Sequence, residues 1–306
     1  MMQRYAVYIG FLAVFSFFSA FLYDDGFLST RNVLNMILQT APATVMAIGL
    51  VFVLSAGEID LSFGSVVATA ALAAAVTMHH FPPAAGIAVG LGCGVLIGMT
   101  NGFFVAVLGL PSFLVTLATM VLFAGIARVI TNLQSIAVTS DFFTGFFGSG
   151  RLFGIPSLVL WTIVMVTLGH VVLRYTRFGA HVLATGDQSK AAARAGVPVP
   201  VIRFAVLTLC GGCAGLAGLL YAGRLQAAKY TLGESDLMPV IAAVIIGGTA
   251  LFGGRGTIIG ALVGSLLMGM LNNGLILMGL SVSGQMIVQG MIILLAITIS
   301  LRDPNR

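Results

Sequence analysis

The chain has 306 residues, 59% of them hydrophobic and 8% charged, with a mean hydropathy of +1.10. Soluble domains carry about 25% charged residues, so this composition excludes a water-soluble globular protein and indicates an integral membrane protein. The net charge of +5 and pI near 9.4 would suggest a nucleic-acid partner in a soluble protein; here they fit basic residues that hold loops in the cytoplasm.

The apolar runs are long and unbroken, which predicts helices; barrel strands would alternate every second residue. Ten apolar spans are expected, at about 5–23, 33–54, 64–79, 84–106, 112–131, 156–173, 203–222, 237–251, 257–279 and 284–301. Several fall short of the ~20 residues that a straight crossing needs, which leaves eight crossings with re-entrant pieces as the alternative count. The first span follows Arg4 and resembles a signal peptide. It lacks a small-residue cleavage site before Asp24-Asp25, so it is expected to remain as an uncleaved first helix.

Charge orients the chain. With the N-terminus inside and ten alternating helices, Arg4, Arg174, Arg177, Lys190, Arg194, Arg203, Arg255, Arg302 and Arg306 fall on the cytoplasmic side. Arg31, Arg128, Arg151, Arg224 and Lys229 fall outside, with Asp24, Asp25, Asp141, Glu234 and Asp236. The bias places both termini and the loop at about 174–203 in the cytoplasm.

The second and third spans are joined by Ser55–Ser65, SAGEIDLSFGS, which holds Glu58 and Asp60. Carboxylates at membrane depth are costly and point to function. Gly57 and Gly64 would break the helix and expose backbone to a cavity. Glu58, Asp60 and Ser62 therefore read either as lining of a translocation path or as an ordinary turn. In the second case Asp60 or Ser62 caps a helix starting near Phe63. His79-His80 precede Pro82-Pro83; adjacent residues point apart and no third ligand is visible, so no metal site is expected. In the fourth span Gly86, Gly90, Gly94, Gly98 and Gly102 recur every four residues. Gly211, Gly215 and Gly218 repeat the theme, as do Gly256, Gly260 and Gly264, and all predict close helix packing. Asn101 and Thr116 are further path candidates that can equally bond a neighbouring helix. The loop Asn132–Ile155, with its run TSDFFTGFFGSGRLFG, suits an interfacial segment on the outer face.

Arg174–Arg203 is the longest stretch without a membrane-grade apolar run, and it carries five of the fourteen basic residues. Its middle, Asp187–Ala195, predicts one short helix: an acid in the first turn, an Ala-rich interior, Lys190 and Arg194 toward the end, then Gly196 and Pro198 as stops. Such a helix suits docking by another protein. Cys210 and Cys213 form a C-x-x-C inside a span, with no other ligands nearby, and read as small packing residues, as does Cys93. The run Ile246–Gly256, IGGTALFGGRG, is a tight turn rather than a phosphate cradle. A P-loop needs Lys after Gly, and the only lysines, Lys190 and Lys229, do not follow glycine. Asn272-Asn273 lie in an apolar span, where paired amides can meet a polyhydroxylated solute or bond a neighbouring helix. No nucleophile–base or metal constellation is visible, so no enzyme is expected.

Four of these stretches together resemble one family. SAGEIDLSFGS is similar to the GGIDLSVGS signature of permease subunits in bacterial ABC importers of simple sugars. LGLPSFLVTLATMVLFAGIARVIT resembles that family's Pro-x-Phe-[Ile/Leu]-x-Thr-Leu segment. ATGDQSKAAARAGVPV resembles its cytoplasmic loop, and the C-terminal block from Ile241 through Ser281 resembles its closing helices. Glu58 stands where glycine is common in the family, and Ala124 where an arginine often precedes Gly125.

The resemblance implies an all-α polytopic membrane protein of about ten transmembrane helices, with the type II ABC importer-like permease fold, as one domain over residues 1–306. It implies no catalysis and no bound cofactor in this chain, with ATP and Mg²⁺ used by a cytoplasmic ABC ATPase partner. A second permease chain, as homo- or heterodimer, and a periplasmic sugar-binding protein are the other partners, in the bacterial inner membrane. Gly186, Asp187, Lys190, Ala191, Ala192, Arg194 and Gly196 would receive the ATPase, while Glu58, Asp60, Ser62, Asn101, Thr116, Asn272 and Asn273 would line the path for a monosaccharide. Related permeases carry branched-chain amino acids or nucleosides, and a proton-coupled transporter using Glu58 and Asp60 is the reading from another class.

Overall fold

The structure is a computed structural model and describes residues 6–301. Arg4, Arg302 and Arg306, which entered the charge count, lie outside the described residues. Thirteen α-helices follow in order: α1 (Ala6–Phe21), α2 (Thr30–Ser55), α3 (Phe63–Met78), α4 (Pro83–Ala106), α5 (Ser112–Thr131), α6 (Asp141–Thr144), α7 (Ser157–Tyr175), α8 (Arg177–Asp187), α9 (Ser189–Arg194), α10 (Val199–Leu225), α11 (Leu237–Ile246), α12 (Ile258–Leu277) and α13 (Val282–Leu301). Each of the ten expected apolar spans holds one of them.

Proline marks several starts. Pro83 opens α4, and Pro111, Pro156 and Pro198 immediately precede α5, α7 and α10. A fixed φ and a missing N–H suit the first turn of a helix, where that donor has no partner anyway. Ser29 and Thr257 cap α2 and α12 by accepting from the backbone N–H of Asn32 and Gly260.

Six helices are long and apolar enough to cross a membrane: α2, α4, α5, α7, α10 and α12. Shorter apolar stretches lie in α1, α3, α11 and α13. Helix α11 has ten residues and rises about 15 Å, half of a hydrocarbon core. The expectation that apolar sequence continues this helix to about residue 251 is corrected. The helix stops at Ile246, because Gly247-Gly248 turn the chain and Gly248 has φ +93°.

Helices α2 and α10 form the centre. Val45–Leu54 is buried on every side, as is Ala214 through Leu220. Helix α5 is instead exposed along most of its surface, through Leu114, Val121 and Val129. An exposed apolar face suits lipid tails as solvent. Helix α10 packs closely on α4, and glycine is the reason. A Cβ on Gly94 would lie 2.5 Å from the Gly211 carbonyl oxygen, and one on Gly98 would lie 2.6 Å from that of Leu207. The expected glycine face is thus the seam of these two helices from Gly90 to Gly102, while Gly86 meets Ala74 and Met78 of α3. Gly260 and Gly264 make the same approach to Gly247 and Ala243 of the α11 segment.

The loop 132–155 is ordered by short elements. Strand β1 (Ile136–Ala137) pairs antiparallel with β4 (Ala227–Ala228), and β2 (Arg151–Leu152) pairs with β3 (Ile155–Pro156). A single π-turn at Gly145–Ser149 stacks Phe147 on Trp161 at 5.4 Å.

Candidate functional site

The short helix expected over Asp187–Ala195 is present as α9, and a helix the sequence did not announce, α8, precedes it. Helix α8 runs to Asp187, Gln188 breaks it with φ −148° and ψ 87°, and α9 follows over Ser189–Arg194. Asp187 therefore ends one helix rather than opening the next. The residue signals could not separate these cases, because an acid followed by alanines suits either end. Gly196 closes the turn with φ +87°, and Val197 N–H donates to the Ala192 carbonyl at 3.0 Å. That is a glycine-terminated helix end.

Helix α8 is held down by its apolar face. Val182 and Thr185 are buried, and Phe178 packs on Phe52 of α2 at 6.1 Å. Helix α9 is different. Ala192 is buried, whereas Lys190, Ala191, Ala193 and Arg194 are exposed. Helix α9 thus presents an exposed, cation-bearing, Ala-rich surface anchored by one alanine.

Three turns meet beneath α8. A Cβ on Gly186 would overlap the Ser55 carbonyl at the end of α2, and would also lie 2.7 Å from the Gly254 nitrogen. Gly254 N–H donates to that same Ser55 carbonyl at 3.0 Å. Gly57, Gly253 and Gly254 have φ of +79°, +93° and +80°, values that suit glycine. The run Ile246–Gly256, read from sequence only as a tight turn, is therefore one side of a three-way junction. Residues far apart in sequence meet there, so no local signal announced it. Beside the junction lies a cleft of about 420 Å³ bordered by Gly57, Asp187, Lys190, Arg203 and Phe252.

The turn Ala56–Ser62 continues from this junction into the bundle. Glu58 is 8% exposed and its Oε1 lies 2.7 Å from Arg203 Nε near the start of α10. The Nε–H has no directed hydrogen bond, so the contact is an ion pair held by charge. Ile59 N–H donates to Ser112 Oγ at 3.0 Å, and Thr116 Oγ1 donates to the Ile59 carbonyl at 3.2 Å, both on α5. Asp60 Oδ1 accepts from Ser62 N–H at 2.8 Å and from Ser62 Oγ at 2.6 Å. Ser62 Oγ in turn accepts from Asn101 Nδ2 of α4 at 2.8 Å. Asp60, Ser62, Asn101 and Thr116 are all at most 1% exposed. A buried carboxylate without such donors would be costly. The structure thus brings five of the seven expected path residues into one connected set. Asp60 also supports the start of α3 by accepting from Ser62, the residue before Phe63.

Asn272 and Asn273 lie elsewhere. Asn273 and Asn32 exchange two amide hydrogen bonds at 2.9 Å each, and Asn272 Oδ1 accepts from Gln289 at 3.3 Å. Cys210 and Cys213 pack against Gly49, and Cys210 also lies against Asp60. No cluster of three metal-ligating side chains occurs among the described residues.

Comparison with known proteins agrees with this architecture. The family described as branched-chain amino acid transport system, permease component, matches residues 32–297. The ribose import permease protein RbsC of Escherichia coli K12 is 38% identical over 282 residues, covering 90% of this chain and 87% of that protein. The L-arabinose ABC transporter permease protein AraH of Azospirillum brasilense is 33% identical, covering 97% and 87%. The xylose transport system permease protein XylH of Escherichia coli K12 is 31% identical, covering 97% and 91%. No solved structure matches the chain. With six membrane-length helices, a family match across most of its length and relatives of this kind, the chain is a multi-pass membrane protein that belongs to the ABC importer permease family.

Proposed function

We propose that this chain forms the translocation path for a monosaccharide in an ATP-driven importer of the bacterial inner membrane. A cytoplasmic ATPase docks on α9, and both chain termini are cytoplasmic. A binding protein delivers the sugar at the opposite face, and two permease chains enclose the path. The chain itself binds no nucleotide; the ATPase partner supplies hydrolysis.

The observation that carries this reading is the exposed cationic helix α9 beside a junction that joins the ends of α2 and α8 to the turn between α11 and α12. A load applied there is shared by helices from both halves of the bundle. The choice of sugar over amino acid follows the relatives, which are named as permeases for ribose, L-arabinose and xylose. Glu58, Asp60, Ser62, Asn101 and Thr116 are proposed to shape the path from its wall, since Asp60, Ser62 and Asn101 bond one another, Glu58 pairs with Arg203 and Thr116 bonds the Ile59 carbonyl. Asn272 and Asn273 are proposed to serve helix packing at least as much as solute.

The test is uptake by membrane vesicles bearing the chain with its ATPase and binding protein. Uptake of ribose, L-arabinose or xylose should require ATP, survive collapse of the proton gradient and resist competition by leucine. Uptake that follows the proton gradient and ignores ATP would replace this reading with the secondary-transporter one.

A further inference from the structure

We propose that the Glu58–Arg203 ion pair is a positioning device that straps the α2–α3 turn to the docking segment, so that movement of α8 and α9 is delivered to α4 and α5. This rests on the proposed docking of an ATPase at α9 and adds the route by which docking reaches the bundle. The observation is the order of contacts along four consecutive residues, Gly57–Asp60, continued through Ser62. Gly57 lies against Gly186, with a Cβ position 3.5 Å from its Cα. Glu58 holds Arg203 at 2.7 Å. Ile59 binds α5 through Ser112 and Thr116. Asp60 holds Ser62, and Ser62 holds Asn101 of α4. The input and the output of the turn are two or three residues apart, and every link except the ion pair is a hydrogen bond or backbone contact.

Arg203 is well placed for this role. It lies four residues into α10, just after the docking segment, and borders the cleft shared with Asp187 and Lys190. Its charge faces Glu58 on one side and the docking surface on the other. The pair joins elements 145 positions apart in sequence and relies on charge, not on a directed hydrogen bond. It can therefore lengthen and re-form without a strict geometry. Removing Arg203 leaves the nearly buried Glu58 carboxylate unmatched, whereas removing Glu58 leaves an arginine that is 35% exposed.

The family pattern has glycine where this chain has Glu58, so the strap is an addition to a route that also runs through the glycine contacts. Its loss should loosen coupling and not abolish it. Coupling energies between sites typically correspond to factors of 5 or more. We therefore expect Glu58→Gly and Arg203→Gln each to lower sugar imported per ATP hydrolysed by about five-fold.

The experiment uses the complete transporter in proteoliposomes, with radiolabelled ribose, L-arabinose and xylose each offered as the transported probe. Three quantities are read: ATPase retained on purification, ATP hydrolysis, and sugar imported per ATP. Expected is full ATPase retention in both variants, sustained hydrolysis, reduced import per ATP, and recovery in the charge-swapped Glu58→Arg/Arg203→Glu double variant. Glu58→Gly restores the residue common in the family, which keeps the test open if Arg203→Gln does not fold. Wild-type import per ATP in Glu58→Gly would overturn the strap. Loss of ATPase from either variant would also overturn it, by making the pair part of the docking surface. Failure of the underlying docking reading looks different: a chain with Glu58 and Arg203 intact would then keep its ATPase when Lys190 and Arg194 are both changed to Glu.

Discussion

The α4–α10 seam and the junction beneath α8 both depend on glycine, but for different physical reasons. In the seam, glycines sit inside regular helices, and the absence of Cβ lets two backbones approach. Gly94 meets Gly211 and Gly215, and nothing polar joins the two helices there except the backbone surfaces themselves. In the junction, glycines sit in turns. Three of them have positive φ, and a backbone hydrogen bond from Gly254 to Ser55 crosses between elements. The seam is a repeated contact along an axis and resists separation. The junction is a single crossing point of three chain segments, so a displacement of one must move the others. Small residues serve packing in the first region and let three chain segments cross in the second, where we propose transmission.

Breaking the seam should have the largest effect. Gly94→Leu would drive a side chain into the Gly211 carbonyl, and overpacking of this kind costs about 3 kcal/mol or more. The expected outcome is loss of monodisperse protein on size exclusion in detergent. A normal elution profile and thermal midpoint would show that the two helices can separate without penalty.

Altering the junction should leave a folded protein with impaired transport. Gly186→Ala adds one carbon against the Ser55 carbonyl, and the neighbouring turns must shift to admit it. Membrane-inserted amounts should stay close to wild type while ATP-driven uptake falls roughly ten-fold, a coupling loss within the usual 1–3 kcal/mol. Equal loss of both quantities would make the junction ordinary packing.

The smallest effect sharpens the comparison by its position. Arg128 pairs with Glu234 at 2.6 Å and lies over the Tyr230 ring, yet both charged side chains are 39% exposed. Pairs this exposed contribute about 0.2–1 kcal/mol. Arg128→Ala should lower the thermal midpoint only slightly and leave import per ATP unchanged. A large loss of coupling there would mean that transmission is not confined to the α8 side.

These two regions were unequally legible in the sequence. The seam was written locally, since five glycines at four-residue spacing fall on one face of a helix whatever it meets. The helix starts were also local, through Pro83, Pro111, Pro156 and Pro198. The junction was not, because Gly57 and Gly254 belong to two separate turns and Gly186 to the end of α8, all far apart in sequence. Each looked like punctuation where it stood. Glu58 stood out as a departure from the family pattern, but its partner Arg203 is on another helix and no spacing rule connects them. Helix α8 was illegible for a further reason. Arg177–Asp187 carries no membrane-grade apolar run, and its Phe178 meets Phe52 of α2, far away in sequence.

The most direct measurement is affinity purification of the tagged chain from its native membrane, with identification of the proteins that accompany it. A Walker-motif ATPase should be recovered with the wild-type chain and lost when Lys190 and Arg194 are both changed to Glu. Recovery of the chain with no ATPase, or of an ATPase indifferent to those two charges, would contradict docking on α9.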